Sequence, residues 1–182
     1  ISNIIENANK IAKEGIKEIV ITGVNIGDFR DKENNKFIDL VKKLESVKEI
    51  ERYRISSIEP NLITDEIIET VKKSEKFMPH FHIPLQSGSN KILRRMKRRY
   101  NTKTYKEKIN KIIKKIPNVC IGADVIVGFP DESKEDFYET VNFIKDLNIS
   151  YLHVFSYSER ENTEAINHKN KINKQIIKER SQ

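Results

Sequence analysis

A regular alternation of helical and strand-like segments constrains the fold of this chain more than any other feature. Phe37, Leu40, Val41 and Leu44 form one apolar stripe at helical spacing. Such stripes alternate with five strand-like runs: "KEIVITGVN", "RYRISSIEP", "HFHIPLQSGS", "VCIGADVIVGFP" and "YLHVFSYS". Strand–helix repeats with short connections predict a parallel α/β sheet with its helices outside.

Residues at the ends of these segments predict where the helices begin. Ser2 and Thr64 are candidate N-caps, and Ser133 with Asp136 has the spacing of a capping box. Leu93, Met96 and Tyr100 keep helical spacing within and after "KILRRMKRR". The last 21 residues, "NTEAINHKNKINKQIIKERSQ", predict a terminal helix with weak tertiary support.

The nucleotide-binding forms of a parallel sheet have no support in the sequence. There is no P-loop, and "GVNIG" lacks the G-x-G-x-x-G spacing. Nothing divides the 182 residues into two domains. We therefore expect one domain over residues 1–182, folded as a TIM-type barrel or part of one.

Strand parity separates an apolar outer face from a polar lumen. Alternate residues of a strand point to opposite sides, so the apolar set of each strand should pack against helices. The outward set is Phe81, Ile83, Leu85, Val119, Ile121, Ala123, Val125, Val127, Leu152 and Val154; the inward set is His80, His82, Gln86, Cys120, Gly122, Asp124, Ile126, Gly128, Tyr151, His153, Phe155 and Tyr157. Branched apolar side chains usually fill a barrel, so this polar lumen predicts a pocket.

The polar lumen residues have more than one interpretation. His80, His82 and Asp124 could bind a metal, but they lack the ligand spacing of known structural sites, and a lumen histidine is also common as a hydrogen-bonded core residue. The single cysteine, Cys120, excludes an internal disulfide framework and any multi-cysteine site within these residues.

The net charge of +7 is concentrated in one segment, because "KILRRMKRR" carries six positive side chains. Such a segment is either a solvated helix face or a nucleic-acid contact. No apolar run approaches the length of a membrane span and no targeting signal is evident, so we expect a cytoplasmic protein without membrane contact.

Four segments, in order and at these distances, resemble one known family. "ITGVNIGDF", "RISSIEP", "HFHIPLQSGSNKILRRMKRRY" and "IGADVIVGFPDES" are similar to the radical S-adenosylmethionine methylthiotransferases that modify tRNA. "GVNIGDF" and "SSIEP" resemble the bacterial branch that acts on N6-threonylcarbamoyladenosine beside the anticodon. The branches that modify isopentenyladenosine or a ribosomal protein remain alternatives.

The resemblance implies a partial, open barrel of parallel strands and a radical reaction at carbon 2 of the adenine. S-adenosylmethionine would be cleaved to a 5′-deoxyadenosyl radical by a four-iron four-sulfur cluster on a three-cysteine loop. The parent protein would hold a second such cluster on an N-terminal domain, use an electron donor, and grip tRNA with a C-terminal TRAM domain.

The chain departs from the family in what it does not contain. We expect the first strand, the cysteine loop and both flanking domains to be absent, so that neither cluster is ligated, S-adenosylmethionine binds weakly, and the isolated chain is inactive. No catalytic residue and no metal ligand is therefore assigned. Asp131 stands where the family usually has Gly, and "SERENT" where it favours Pro and Gly; both should loosen their loops.

The resemblance also implies binding residues. Thr22, Gly23 and Asn25 would hold the methionine amino group, Gln86 and Ser87 the ribose, and Ile126, Val127 and Gly128 the adenine; Ser57, Glu59, His82 and Asp124 would face the same site. Arg94, Arg95 and Arg98 would contact tRNA phosphates. A metal-dependent barrel hydrolase or lyase and a non-catalytic tRNA-binding module are the alternatives from other classes.

Overall fold

A computed structural model of the chain describes residues 1–168 and 170–182. These residues form two compact units. The first comprises Ile1–Ile83 and Lys111–Cys120, and the second comprises Pro84–Asn110 and Ile121–Gln182. Every strand pairing within either unit is parallel, which confirms the predicted parallel α/β arrangement.

The first unit alternates strands and helices in chain order. Its elements are α1 (Ser2–Lys13), β1 (Glu18–Ile21), a 3-10 turn (Ile26–Asp28), α2 (Phe37–Leu44), β2 (Arg52–Ser57), α3 (Asp65–Lys73) and β3 (Phe77–His82). β1 pairs with β2, and β2 pairs with β3.

Burial of the outward strand residues holds the first unit together. Tyr53 of β2 and Phe77 of β3 stack with their ring centroids 5.0 Å apart, and both are buried. Phe81 has no exposed surface, as its parity predicts. Each such aromatic or aliphatic side chain contributes about 1.5–3 kcal/mol by leaving water.

The predicted helix starts are confirmed at one position of this unit and wrong at another. The Thr64 hydroxyl accepts the Ile67 amide at 3.2 Å and caps α3. Ser2, in contrast, lies inside α1, whose cap residue is Ile1.

The second unit contains α4 (Asn90–Arg95), α6 (Lys134–Lys145), β5 (Tyr151–Ser156), a 3-10 turn (Glu164–Asn167) and α7 (Lys174–Ser181). Helix α5 (Thr102–Lys115) and strand β4 (Cys120–Val127) each have residues in both units. β4 pairs with β5, and Ser133 and Asp136 form the predicted capping box of α6.

The strand predicted over "HFHIPLQSGS" begins earlier and ends sooner, because β3 covers Phe77–His82. Beyond it, Gln86 makes an isolated parallel bridge to Val125. Leu85, predicted to face outward, has no exposed surface. The parity prediction therefore holds at Leu85, although the strand has ended.

The basic segment is only partly helical. Helix α4 ends at Arg95, and Lys97 adopts φ of +55°. The Arg98 amide returns to the Leu93 carbonyl at 2.9 Å. Tyr100, predicted on the same helix, lies beyond it; its buried hydroxyl donates to the Pro84 carbonyl at 2.8 Å.

Strand β5 is more exposed than its parity predicts. Val154 was expected to pack outward against a helix, but 40% of it is exposed, and 51% of Phe155 on the opposite face is exposed. Both faces of β5 are thus accessible within the described residues.

The predicted terminal helix forms only over Lys174–Ser181, and residue 169 of the predicted segment lies outside the described residues. The helix has no buried residue, in line with the expected weak tertiary support, but Arg180 holds it through two contacts. Arg180 forms an ion pair with Glu132, with side-chain exposures of 11% and 1%. The Arg180 guanidinium also lies 5.2 Å from the centre of the Phe137 ring.

Glu132 is the buried anchor of this arrangement. Burial raises its pKa above the usual range, while the hydrogen bond from the Gly128 amide and the Arg180 charge act in the opposite direction. Removing one partner of a buried pair leaves an uncompensated charge and is strongly destabilising.

We expect Arg180→Gln to lower the free energy of unfolding by about 3 kcal/mol at pH 7. Without Arg180 the folded-state pKa of Glu132 rises further above its ordinary value of 4.5. At pH values between 4.5 and the folded-state pKa, Glu132 is protonated in the folded variant and ionised in the unfolded chain. The free energy of unfolding of the variant therefore falls as the pH rises through this interval. Urea unfolding should show a deficit that grows from below pH 4.5 to pH 7.

The double variant Glu132→Gln/Arg180→Gln is the matched control, since it removes both charges and should recover most of the lost stability. A deficit of the same size at both pH values would show that Arg180 acts through its contact with Phe137 and not through the charge of Glu132.

Candidate functional site

A cavity of about 790 Å³ lies in the second unit at the carboxyl ends of β4 and β5. Ligand sites of parallel α/β folds are usually found at this end of the strands. Its wall is formed by Gln86, Arg95, Met96, Lys97, Arg98, Asp124, Ile126, Phe129, Phe155, Ser156, Tyr157, Ser158, Arg160, Thr163, Glu164 and Ala165. The predicted site residues Gln86, Asp124 and Ile126 are therefore brought together.

Gln86 occupies a strained turn in the cavity wall. Its φ is +68°, a region that non-glycine residues rarely adopt. The Ser87 amide donates to the Leu85 carbonyl at 2.9 Å, so Gln86 is the central residue of a γ-turn of the rarer hand. The turn places the polar side chain of Gln86 in the cavity wall, directly after the apolar residues Ile83–Leu85.

The Gln86 side chain is buried and incompletely bonded. Only 9% of the residue is exposed, and among the described residues its Oε1 atom has no hydrogen-bond partner. Leaving a buried acceptor unpaired costs about 1–3 kcal/mol. A strained backbone and an unsatisfied acceptor at one residue are typical of a binding site.

Asp124 and Ile126 reach the cavity from alternate positions of β4. In the register of the two strands they lie beside His153 and Phe155 of β5, and His153 Nδ1 is 3.2 Å from Asp124 Oδ1. Asp124 can thus accept a hydrogen bond from the imidazole. The site combines an acid, an amide and aromatic surface.

Gly122 explains how Tyr151 fits beside it. A Cβ atom at Gly122 would lie 2.0 Å from Cζ of Tyr151, so the ring occupies the space of the absent side chain. The rings of Tyr151 and His153 are 5.2 Å apart, and those of His153 and Phe155 are 6.3 Å apart. The predicted inward residues of β5 therefore form a continuous row.

Tyr157 closes the strand end of the cavity. Its ring packs edge-on against Phe129 with centroids 5.3 Å apart. Its hydroxyl is buried and has no hydrogen-bond partner among the described residues. Burial and the nearby Glu159 raise the pKa of Tyr157, so its hydroxyl is protonated and available as a donor at neutral pH.

Three other residues predicted to bind the ribose or the adenine, Ser87, Val127 and Gly128, are not part of the cavity wall. Ser87 is fully buried with its hydroxyl 3.1 Å from that of Thr140, and Val127 is buried, with its carbonyl accepting the Tyr157 amide. The Gly128 amide donates to Glu132 at 2.8 Å. A Cβ atom at Gly128 would lie 2.4 Å from Ile177 of α7. Their predicted roles stay predictions.

The first unit holds the remaining nominated residues. Thr22, Gly23 and Asn25 line a separate cavity of about 500 Å³ together with apolar residues of α1 and α2, and Asn25 donates to Asp28 at 2.5 Å. Ser57 and His82 are register partners at the ends of β2 and β3, and Glu59 follows two residues after Ser57.

His80 and His82 lie on the same face of β3, as predicted. Burial, with a contribution from Arg54, lowers the pKa of His80, so its imidazole is neutral at pH 7. A neutral imidazole agrees with the interpretation of His80 as a hydrogen-bonded core residue.

Three positive side chains of "KILRRMKRR" form ion pairs with acidic residues outside the segment. Lys91 lies 2.5 Å from Asp136, Arg95 pairs with Asp131, and Lys97 pairs with Glu164. Although burial opposes it, hydrogen bonds from Lys91, Ser133 and Ser89 hold the pKa of Asp136 at about 2. Of the three nominated arginines, Arg95 is thus partly neutralised, Arg94 is exposed and Arg98 is half-buried in the cavity wall.

Asp131 fastens its loop, contrary to expectation. Its φ of +67° accounts for the glycine expected there. Its side chain is only 11% exposed and holds Arg95. It also accepts Asn170 Nδ2 and lies 3.3 Å from His168 Nδ1. These contacts offset the backbone strain.

The sequence analysis missed Glu132, Phe129 and Arg160. Glu132 is one residue past Asp131 in "GFPDE", and a carboxylate following a Gly-Phe-Pro turn was the signal that could have identified it. Phe129 lies in the same turn. Arg160 lies in a polar loop without periodicity, and no pattern identifies it.

Within the part of the chain that the structure describes, no helix has both the length and the apolar character needed to cross a membrane.

The chain is similar to curated tRNA-modifying enzymes. It is 42% identical over 179 residues to threonylcarbamoyladenosine tRNA methylthiotransferase MtaB of Bacillus subtilis (strain 168), covering 97% of this chain and 40% of that protein. It is 38% identical over 175 residues to tRNA-2-methylthio-N(6)-dimethylallyladenosine synthase of Natranaerobius thermophilus, covering 95% and 39%. The chain thus spans about two fifths of the length of these relatives.

A solved structure shares the fold. Coproporphyrinogen III oxidase (HemN) from Escherichia coli, a radical SAM enzyme, matches with a TM-score of 0.71 and 17% identity, covering 95% of this chain and 42% of that one. The predicted class, a partial barrel of parallel strands, is confirmed by this likeness. Residues 1–144 match the model of the Radical SAM superfamily, and the chain therefore belongs to the radical SAM superfamily.

Proposed function

We propose that residues 1–182 are the radical SAM core of a longer tRNA methylthiotransferase that adds a methylthio group to carbon 2 of N6-threonylcarbamoyladenosine. The similarity to MtaB over 97% of the chain supports the reaction and the substrate. The observation that carries the assignment of the site is the cavity at the ends of β4 and β5, with the unpaired Oε1 of Gln86 in its wall.

The residues of this cavity fit part of S-adenosylmethionine. The Gln86 Oε1 atom can accept a hydrogen bond from a ribose hydroxyl, and Ile126 offers apolar surface to an adenine. Asp124 can accept from a second hydroxyl or an amino group. When bound, S-adenosylmethionine with a reduced four-iron four-sulfur cluster supplies the radical that removes a hydrogen atom.

The cluster does not fit residues 1–182. Cys120 is the single cysteine of the sequence and cannot supply three thiolates. We place the cysteine loop and a second cluster on preceding residues and a TRAM domain on following ones. We further propose an electron donor and a cytoplasmic location.

The tRNA would approach the cavity past α4. This helix begins directly after the Gln86 turn, and Arg94 is exposed on it. Guanidinium groups bind phosphates with two hydrogen bonds as well as with charge. Because Lys91, Arg95 and Lys97 are paired within the protein, Arg94 is the stronger candidate for a phosphate contact.

The reaction is tested with the full-length protein, reconstituted with iron and sulfide and supplied with S-adenosylmethionine, a reductant and tRNA. We expect mass spectrometry of digested tRNA to detect 2-methylthio-N6-threonylcarbamoyladenosine. A methylthio product on isopentenyladenosine, with none on the threonylcarbamoyl nucleoside, would assign the protein to the other branch.

Gln86→Leu tests the cofactor contact. It removes an unpaired buried acceptor at similar volume, so we expect the free energy of unfolding to rise by about 1 kcal/mol. Affinity of the full-length protein for S-adenosylmethionine, measured by calorimetry, should fall roughly tenfold. Gln175→Leu, an exposed amide on α7, is the matched control and should change neither quantity. Unchanged affinity in Gln86→Leu would contradict the assignment.

Arg94→Ala and Arg95→Ala separate a phosphate contact from an internal ion pair. The slope of log affinity for tRNA against log salt should become shallower by about one unit for Arg94→Ala. The change should be smaller for Arg95→Ala, whose charge is already paired with Asp131. A larger change for Arg95→Ala would show that tRNA displaces Asp131 from this arginine.

A further inference from the structure

We infer that Thr140 of α6 is a positioning residue for the cofactor. Its hydroxyl holds the segment Ser87–Ser89, which directly follows Gln86, and thereby fixes the place of the Gln86 side chain. The inference rests on the proposed function, because it takes Gln86 as a residue that contacts S-adenosylmethionine. Three observations support it: the hydrogen bonds of Thr140, the close packing at Gly88 and the backbone strain at Gln86.

The Thr140 hydroxyl joins α6 to the residues after the Gln86 turn. It accepts the Gly88 amide at 2.9 Å and lies 3.1 Å from the Ser87 hydroxyl. It also donates to the Asp136 carbonyl, one helical turn earlier, at 3.0 Å. Because its one hydrogen is directed to that carbonyl, the Thr140 oxygen accepts from both Ser87 and Gly88. The donor and both acceptor positions of this hydroxyl are therefore used.

A second side chain of α6 holds the same segment. Asp136 lies four residues before Thr140 on the same face of the helix, and it accepts the Ser89 hydroxyl at 2.8 Å. The Ser89 amide in turn donates to the Ser87 hydroxyl at 3.1 Å. Each of these four residues is at most 5% exposed. A buried network whose members are all bonded is rigid, and the loss of one member leaves others unpaired.

Gly88 lets the segment lie directly against α6. A Cβ atom at Gly88 would be 2.6 Å from Cα of Thr140 and 2.9 Å from Cβ of Phe143. Neither of these atoms is the flexible end of a side chain, so a larger residue would require the helix or the segment to move. Close packing therefore fixes the position of Gly88 against Thr140 in addition to the hydrogen bond.

Gln86 depends on contacts at both ends because its backbone is strained. Its φ is +68°, and such a conformation persists only where the surrounding structure determines it. On its N-terminal side, the Gln86 amide donates to the Asp124 carbonyl of β4 at 2.7 Å. On its C-terminal side, Ser87 and Gly88 are bound to Thr140. Thr140 is thus the anchor of the turn on the α6 side.

Loss of the Thr140 hydroxyl would release the turn without changing the Gln86 side chain. Valine has nearly the shape of threonine, but it would leave the buried Gly88 amide and Ser87 hydroxyl without their acceptor. The segment would move to find other partners, and the strained φ of Gln86 would relax. The Oε1 atom would then no longer be held where a ribose hydroxyl can reach it.

A purely structural role of Thr140 would have a different signature. If Thr140 only stabilises the fold, its replacement affects cofactor binding equally whether or not the Gln86 amide is present. If Thr140 acts through Gln86, its effect on cofactor affinity disappears once that amide is removed. A double-mutant cycle therefore separates the two roles.

The experiment uses the full-length protein, reconstituted with iron and sulfide, and measures its affinity for S-adenosylmethionine by calorimetry. Thr140→Val should lower the affinity by roughly threefold to tenfold, because a positioning residue can lose no more than the contact that it positions. In the Gln86→Leu background the same change should alter the affinity by less than about twofold. Thr140→Ser keeps the hydroxyl and should restore most of the affinity.

Thr64→Val is the matched control. It also removes a hydroxyl that accepts a backbone amide, that of Ile67 at 3.2 Å, but this hydroxyl caps α3 in the first unit. We expect it to lower stability, as the loss of a helix cap does, and to leave the affinity for S-adenosylmethionine unchanged.

Ser89→Ala covers the case in which Thr140→Val prevents folding. It removes only the hydroxyl that donates to Asp136, so Thr140 keeps its bonds to the segment. It should lower the affinity for S-adenosylmethionine by a smaller factor, and again only when Gln86 is present.

Two outcomes would overturn the inference alone. Affinity that falls in Gln86→Leu but is unchanged in Thr140→Val would show that the turn does not need the Thr140 bonds. An equal loss from Thr140→Val in both backgrounds would show that Thr140 does not act through Gln86. Unchanged affinity in Gln86→Leu would instead overturn the cofactor assignment, and the inference with it. The two failures are therefore distinguishable.

Discussion

The hydrogen bonds between the Gln86 turn and β4 fix the floor of the candidate site. The amides of Leu85 and Gln86 both donate to the Asp124 carbonyl, at 3.1 and 2.7 Å, and the Ile126 amide donates to the Gln86 carbonyl at 3.0 Å. Through these three bonds Gln86, Asp124 and Ile126 reach one cavity although they are separated along the chain. Without these bonds the distance between the Asp124 side chain on β4 and the Gln86 turn would not be fixed.

Ion pairs restrain charged side chains in the cavity wall and next to it. Asp131 holds Arg95, Glu164 holds Lys97, and Glu132 holds Arg180 of the terminal helix. The first two lower the number of positive charges that can reach RNA, so a count of Lys and Arg in "KILRRMKRR" overstates its capacity to bind phosphate. The third secures α7, which has no fully buried residue of its own.

The sequence predicted the parallel α/β architecture and the strand parity because both depend on regular spacing. Phe81, Leu85, Ala123 and Val125 are buried as their positions require. Side chains that contact distant residues were not predictable. Asp131 was expected to loosen a loop, yet it is tied to Arg95 and Asn170, which lie 36 and 39 residues away. Val154 was expected to be covered, but burial depends on a neighbour that strand periodicity does not specify.

Three residues in or near the cavity wall have a strained backbone, and in one of them no side-chain contact offsets the cost of that strain. Gln86, Lys97 and Asp131 all have positive φ, and each such position costs roughly 1–3 kcal/mol. Lys97 and Asp131 offset that cost with ion pairs to Glu164 and Arg95. The Oε1 atom of Gln86 has no partner within the described residues. A ligand that donates a hydrogen bond to Gln86 would therefore recover energy that folding left unrecovered, which is the physical reason to place the cofactor at this residue.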